Sequence, residues 1–165
     1  MRLAHVGQKR KDGRPHATHP AAVRDILVAE FGVTAEDVLV AALLHDVANE
    51  TRVPMSEIEE RFGEAVTGRL RLLANVGRAD SSPDALTPDV QGEVLEAPDL
   101  ETRQIKVAEL IHNLRDKAGL GPEAHAECIS ESERLAAGML AGTPGVEVLN
   151  VERERARAAA TTELG

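Results

Sequence analysis

Apolar residues recur at helical spacing along most of the chain, and turn-forming residues divide it into segments. Val23, Ile26, Leu27 and Phe31 stand at i, i+3, i+4 and i+8, which is one face of a helix. Pro20 is placed to be its first helical residue and Gly32 its stop. Thr34, with Asp37 three residues on, predicts an N-cap. Residues 38–44 are apolar all round, which fits a buried helix or a buried strand; the cap and the Ala41-Ala42 pair favour the helix. Pro54 opens a short helix with Ile58 and Phe62 on one face and Gly63 as its stop. Val66, Leu70 and Leu73 continue helically to about Asn75. Residues 76–88, with one Gly, two Ser, two Pro and two Asp, predict a loop, and residues 89–96 a short helix broken at Ala97-Pro98-Asp99. Residues 102–118 predict a long helix with Ile105, Ala108, Ile111 and Leu114 inward. Gly119 to Pro122 ends it. Pro122 opens a helix to about Leu140, with Cys128, Ile129, Leu135 and Met139 as core candidates. Thr143-Pro144-Gly145 starts a last helix, whose Ala-, Arg- and Glu-rich end at 151–165 predicts fraying. Strand signals are nearly missing, so the expected fold class is all-α.

Composition narrows the class further. A length of 165 residues suits one domain at about 150 residues each, with residues 1–145 as its body and 146–165 as a C-terminal helix or frayed tail. Cys128 is the only cysteine, so no disulfide can form within the chain and a cytoplasmic location is expected. The first ten residues lack the apolar stretch of a signal peptide, and no window approaches the roughly 18 apolar residues of a membrane span. The net charge is −9, yet residues 1–24 carry +5 and the other 141 carry −14. An acidic body repels nucleic-acid polymers. The only aromatics, Phe31 and Phe62, provide no stacking platform for single strands. The basic N-terminal stretch reads as a solvated segment on charge alone, but a compact basic corner can also hold one small anion.

Three groups of residues carry candidate chemistry. His45-Asp46 closes the apolar run. Its histidine can be favoured as a cation at a helix C-terminus; the two can form a buried hydrogen-bonded pair; or they can be two ligands of a divalent transition metal. The dipeptide alone leaves all three open. In His16-Ala17-Thr18-His19-Pro20, the proline biases His19 toward extended backbone and starts a helix right after it. Lys106, Glu109 and Asn113 stand at i, i+3 and i+7 and share one helix face, which by itself reads as a solvated face. His5, His112 and His125 are assigned surface or supporting places.

Taken together, these pieces resemble the HD-superfamily metal phosphohydrolases. More narrowly, residues 4–115 resemble the alarmone hydrolase domain of the RelA/SpoT family and its small stand-alone relatives. The matching text is Ala4-His5, Gln8 to Pro15 (QKRKDGRP), His19-Pro20, Ala41-Ala-Leu-Leu-His45-Asp46-Val47, Thr51, Phe62-Gly63, and Lys106-Val-Ala-Glu109 with Asn113-Leu114-Arg115. The resemblance implies an all-α HD-domain bundle with a metal, manganese in that family, held between helices by His19, His45, Asp46 and Glu109. It implies removal of the 3′-pyrophosphate of ppGpp or pppGpp, with Arg10 packing on the guanine, Lys11 holding phosphate and Asn113 facing the ribose. The expected partner is a small nucleotide, with no nucleic-acid polymer and no membrane; a homo-oligomer is left open.

The departures from the family pattern are specific. Asn49-Glu50 stands where the family has Glu-Asp, Glu109 where it has Asp, and His16-Ala17 where it has Tyr-Ile. The chain also starts inside what resembles the family's first helix. Exchange of Asp for Glu keeps a carboxylate and adds one methylene. The exchange at 49–50 is harsher, because an amide accepts no proton; Glu50, assisted by Asn49, is the expected group that orients or deprotonates the attacking water. The alternatives are an HD phosphohydrolase for another nucleotide or phosphate ester, and a metal- or nucleotide-binding module with weakened turnover. A synthetase activity is not expected, since the 50 residues after Arg115 cannot hold a second nucleotidyl-transfer domain.

Overall fold

The computed structural model describes residues 7–47, 53–76 and 99–162. Among them are eight helices: α1 Thr18–Ala29, α2 Glu36–Leu44, α3 Met55–Phe62, α4 Glu64–Val76, α5 Leu100–Arg115, α6 Lys117–Leu120, α7 Pro122–Ala137 and α8 Val146–Thr162. The described residues contain no strand, only an isolated bridge between Lys9 and Pro15. The all-α expectation therefore holds. The expected loop after Val76 and the expected helix at 89–96 lie outside the described residues.

The bundle is organised around α5, which packs against α1, α2, α4, α7 and α8. Gln104, Ile105, Lys106, Val107 and Ala108 are buried in succession, so this helix is enclosed on every side rather than amphipathic. Ile105, Ala108 and Ile111 are fully buried and Leu114 nearly so, as the spacing predicts. Each large aliphatic side chain enclosed in this way contributes roughly 1.5–3 kcal/mol. Val23 and Leu27 of α1, Val38 and Ala41 of α2 and Leu149 of α8 complete the same core.

Two arginines tie the periphery of α5 to its neighbours. Arg69 of α4 reaches Asp37 of α2 and both Asp99 and Glu101 at the start of α5. Arg115 at its end joins Glu30 after α1 to Glu152 of α8.

Several local expectations are corrected. His19 is not extended but lies in the first turn of α1, which begins at Thr18. The N–H groups of a first turn have no helical acceptor, so Pro20 costs no hydrogen bond there. Thr34 is not the N-cap of α2; Ala35 takes that place without a side-chain bond, and Glu36 and Asp37 put negative charge on the first turn instead. Phe62 is 44% exposed while Ile58 is buried, so only one of the two faces the core. The helix expected at 102–118 ends at Arg115. Asp116 is the reason: its carboxylate accepts from the Gly119 N–H, the geometry of an N-cap, and starts α6. The last helix does not fray at Val151: it runs to Thr162 and buries Glu152 and Ala156.

Cys128 packs beside the Lys106 cluster described below. Burial and the charges of Glu109 and Glu131 push its thiol up to about 12. Reactivity needs the thiolate, so a thiol reagent at pH 8 is expected to leave the native protein unmodified and to titrate one thiol after denaturation. Rapid reaction of the native protein would contradict this packing.

Candidate metal centre

Several elements converge on one cavity of about 280 Å³, whose lining includes Gly119 and Leu120 of α6. The first turn of α1 contributes His19. The turn after α2 contributes Asp46, next in the chain to the buried His45. The middle of α5 contributes Glu109 and Asn113, and the basic N-terminal segment lies across the opening with Lys9, Arg10 and Lys11. The sequence separation is bridged because α1 packs on both α2 and α5.

His19 and His45 are buried and face each other through Nε2, 3.2 Å apart. Asp46 closes the triangle, with Oδ1 3.1 Å from His45 Nε2 and Oδ2 3.8 Å from His19 Nε2. One donor atom from each of the three lies within 4.8 Å of the others. The far ring nitrogens are already engaged. His45 Nδ1 lies 2.7 Å from the Ala42 carbonyl; a carbonyl only accepts, so Nδ1 carries the proton and Nε2 is left to face the triangle. His19 Nδ1 lies 2.8 Å from Nδ1 of His112. Asp46 Oδ2 also accepts from His16 Nε2 at 3.0 Å.

The electrostatics describe three groups sharing charge. Burial and the neighbouring His45 push His19 down to about 2. Burial opposes a charge on His45, but the Asp46 carboxylate more than offsets it and raises His45 to about 9. Burial likewise opposes ionisation of Asp46, yet His45 and the hydrogen bond from His16 hold it well below the usual carboxylate range. Burial and the Arg10 charge lower His112. Two imidazole nitrogens and a carboxylate at these separations match the donor set of a divalent transition metal. The bond from His45 Nδ1 to the Ala42 carbonyl pre-aims the Nε2 of that ring, as is usual for metal-binding histidines.

The other expected site residues are placed as follows. Glu109 lines the cavity and acts electrostatically on His45, but its carboxylate bonds Lys106 Nζ at 3.1 Å and is not part of the close triangle. Lys106 is not on a solvated face. It is buried and paired with both Glu109 and Glu131, and against the cost of burial these two carboxylates hold it above its ordinary value. Asn113 lines the cavity, and its buried Oδ1 has no hydrogen-bond partner among the described residues. Arg10 is not a solvated residue either. Its side chain is 5% exposed, with Nε 3.0 Å from Asp116 Oδ2. Lys11 is exposed at the cavity edge, its N–H bonded to the Gly119 carbonyl at 3.0 Å. Asn49 and Glu50 lie outside the described residues.

Sequence reasoning missed the roles of His16 and Asp116, and left His112 between a surface and a supporting place, of which the structure shows the second. The signal for the two histidines was spacing: His16 precedes His19 by one turn, and His112 follows Glu109 by three residues on the same helix. Asp116 ties the site to the basic corner, since it pairs with Arg10 and Arg14 and sits 3.9 Å from His112 Nε2.

An all-helical bundle that carries a distant histidine onto a buried His-Asp pair defines the HD-domain class. The chain belongs to the HD domain family, which it matches over residues 1–147. Among its relatives is the human guanosine-3′,5′-bis(diphosphate) 3′-pyrophosphohydrolase MESH1, 35% identical over 125 residues that span 74% of this chain and 68% of that protein. The bifunctional (p)ppGpp synthase/hydrolase SpoT of Escherichia coli is 34% identical over 137 residues, 79% of this chain but 19% of that larger protein. A solved structure, described as a metazoan ortholog of SpoT that hydrolyzes ppGpp and plays a role in starvation responses, superimposes with a TM-score of 0.72. It is 26% identical and covers 94% of this chain and 90% of its own. No helix among the described residues is long and apolar enough to cross a membrane.

Proposed function

We propose that the protein is a metal-dependent pyrophosphohydrolase that removes the 3′-pyrophosphate of guanosine alarmones, converting ppGpp or pppGpp and water into GDP or GTP and pyrophosphate. The observation that carries this reading is a cavity lined by His19 and Asp46 of the His19–His45–Asp46 donor set together with Arg10, Lys11 and Asn113, whose Oδ1 has no hydrogen-bond partner among the described residues. The similarity to MESH1 and SpoT supports the substrate.

His19, His45 and Asp46 would hold the cation, with Glu109 as a fourth ligand shared with Lys106; manganese is the ion expected from the resemblance. When bound, a divalent cation supplies Lewis acidity, polarising a phosphoryl oxygen and lowering the pKa of water. Lys11 meets the phosphates as a mobile charge at the cavity edge. Arg10, whose guanidinium plane can stack on a base, receives the guanine. Asn113 Oδ1 accepts from a ribose hydroxyl; left unpaired, such a buried acceptor costs about 1–3 kcal/mol. Glu50 takes a proton from the attacking water, with Asn49 beside it as a hydrogen-bonding amide. The water oxygen bonds to the phosphorus attached to O3′, the P–O3′ bond breaks, O3′ takes a proton from solvent to become the hydroxyl of GDP or GTP, and the pyrophosphate carries the water oxygen away.

The basic corner depends on Gly119. A Cβ at this position would collide with Asp116 Oδ2 and lie 2.5 Å from Arg10 Nε and 2.7 Å from Arg14 Nη2. All three atoms belong to side chains and none to the backbone, so the basic corner would shift while the fold survives. Gly119→Ala is expected to raise KM at least about tenfold, or about 1.4 kcal/mol of binding, with metal content unchanged. An unchanged KM would remove Arg10 and its partners from substrate binding.

The substrate is tested by incubating the protein and Mn²⁺ with ppGpp, GTP, ADP-ribose and nucleoside monophosphates. The expected result is turnover of ppGpp with kcat/KM far above the others. Cleavage of another phosphate compound with ppGpp inert would favour a different HD phosphohydrolase. Binding without turnover would favour a binding module.

A further inference from the structure

We propose that His112 is a positioning residue for the metal centre: it accepts the Nδ1 proton of His19, fixes the tautomer of that ring, and so turns His19 Nε2 toward the cation. The inference rests on the reading of His19 as a ligand and assigns to His112 a role beyond it.

The two rings meet Nδ1 to Nδ1 at 2.8 Å. A hydrogen bond at this distance needs one protonated nitrogen and one bare one. Either ring can supply the proton as far as the bond itself is concerned, but the surroundings decide. The other nitrogen of His112, Nε2, faces the Asp116 carboxylate at 3.9 Å. This is too long for a hydrogen bond but close enough for the negative charge to favour a proton there. A neutral His112 protonated at Nε2 has a bare Nδ1, which accepts. His19 must then donate from Nδ1, which leaves its Nε2 lone pair pointing at His45 and Asp46, 3.2 and 3.8 Å away. His45 likewise carries a proton on Nδ1, held there by the Ala42 carbonyl. The two histidines are thus matched: one is oriented by its own helix and the other by α5. Among the described residues, the partner at Nδ1 of His19 is the side chain of His112 and not a backbone carbonyl, so its orientation depends on residue 112.

Two substitutions separate the acceptor from the ring. His112→Asn places an amide oxygen where Nδ1 stands and keeps the acceptor. His112→Phe keeps ring volume and removes it. In the metal-free protein at pH 8, long-range ¹H–¹⁵N spectra are expected to show the His19 proton on Nδ1 in the wild type and in His112→Asn. In His112→Phe it should redistribute toward Nε2. Calorimetric titration with Mn²⁺ should find His112→Phe about 10–100-fold weaker than wild type, the usual cost of removing a ligand's supporting partner, and His112→Asn close to wild type. A His19 proton on Nε2 in the wild type would overturn the proposal whether or not either variant folds. So would equal Mn²⁺ affinity of the wild type and a folded His112→Phe. Failure of the wild type to bind Mn²⁺ at all would instead overturn the metal-site reading, and the wild-type tautomer would still decide whether His112 orients His19.

Discussion

Replacing His45 or Asp46 with alanine is expected to strip the protein of bound divalent metal and of hydrolytic activity together. His45 and Asp46 contribute two of the three converging donor atoms, and they come from adjacent positions on one chain turn. Loss of a partner that merely supports a ligand weakens metal binding about 10–100-fold; loss of the ligand itself should cost more. Asp46 has a second task, since it also accepts from His16 and sets the charge of His45. Asp46→Ala should therefore leave the buried His45 without its nearest counter-charge, and Asp46→Asn should lose metal with a smaller loss of stability. Elemental analysis after dialysis, read beside a thermal melt, separates the two effects. Stoichiometric metal in both alanine variants would place the site elsewhere.

The second large effect is expected at Glu50. If its carboxylate takes the water proton, Glu50→Gln should lower kcat by about two to four decades, the usual contribution of positioned proton transfer. KM and metal content should hold, because the interaction is made only in the transition state. The double substitution Asn49→Glu with Glu50→Asp restores the pair found in the family pattern and should match or exceed wild-type turnover of ppGpp. A Glu50→Gln variant with undiminished kcat would assign the proton to another group.

The helices that position this site were legible in the chain because their apolar spacing is strong: the periodicity of α1 and α5 locates both walls of the cavity. His45-Asp46 stood out because such groups are costly to bury without a reason, but the set His19, His45, Asp46 and Glu109 was legible only through the resemblance to the HD phosphohydrolases. What was not legible depends on tertiary contact. The burial of Arg10 follows from Asp116, which lies 106 positions away in the chain, and no local pattern links them. The pairing of Lys106 with Glu131 needs α7 to pack on α5; from the helix alone, Lys106, Glu109 and Asn113 read as a solvated face. The hydrogen bond from His19 to His112 likewise joins α1 to α5. The misplaced cap at Thr34 shows that a propensity worth about 1 kcal/mol yields to a first turn carrying Glu36 and Asp37.

The central claim is a cation-dependent attack of water on the phosphorus at the 3′ position, and one measurement tests it most directly. Metal-free protein is mixed with ppGpp in ¹⁸O-labelled water, Mn²⁺ is added, and the products are read by mass spectrometry. The expected result is no turnover before the addition, then GDP and pyrophosphate in equal amounts, with one ¹⁸O in the pyrophosphate and none in the GDP. Absence of pyrophosphate after addition of Mn²⁺, turnover that needs no cation, or label in the GDP would contradict the account.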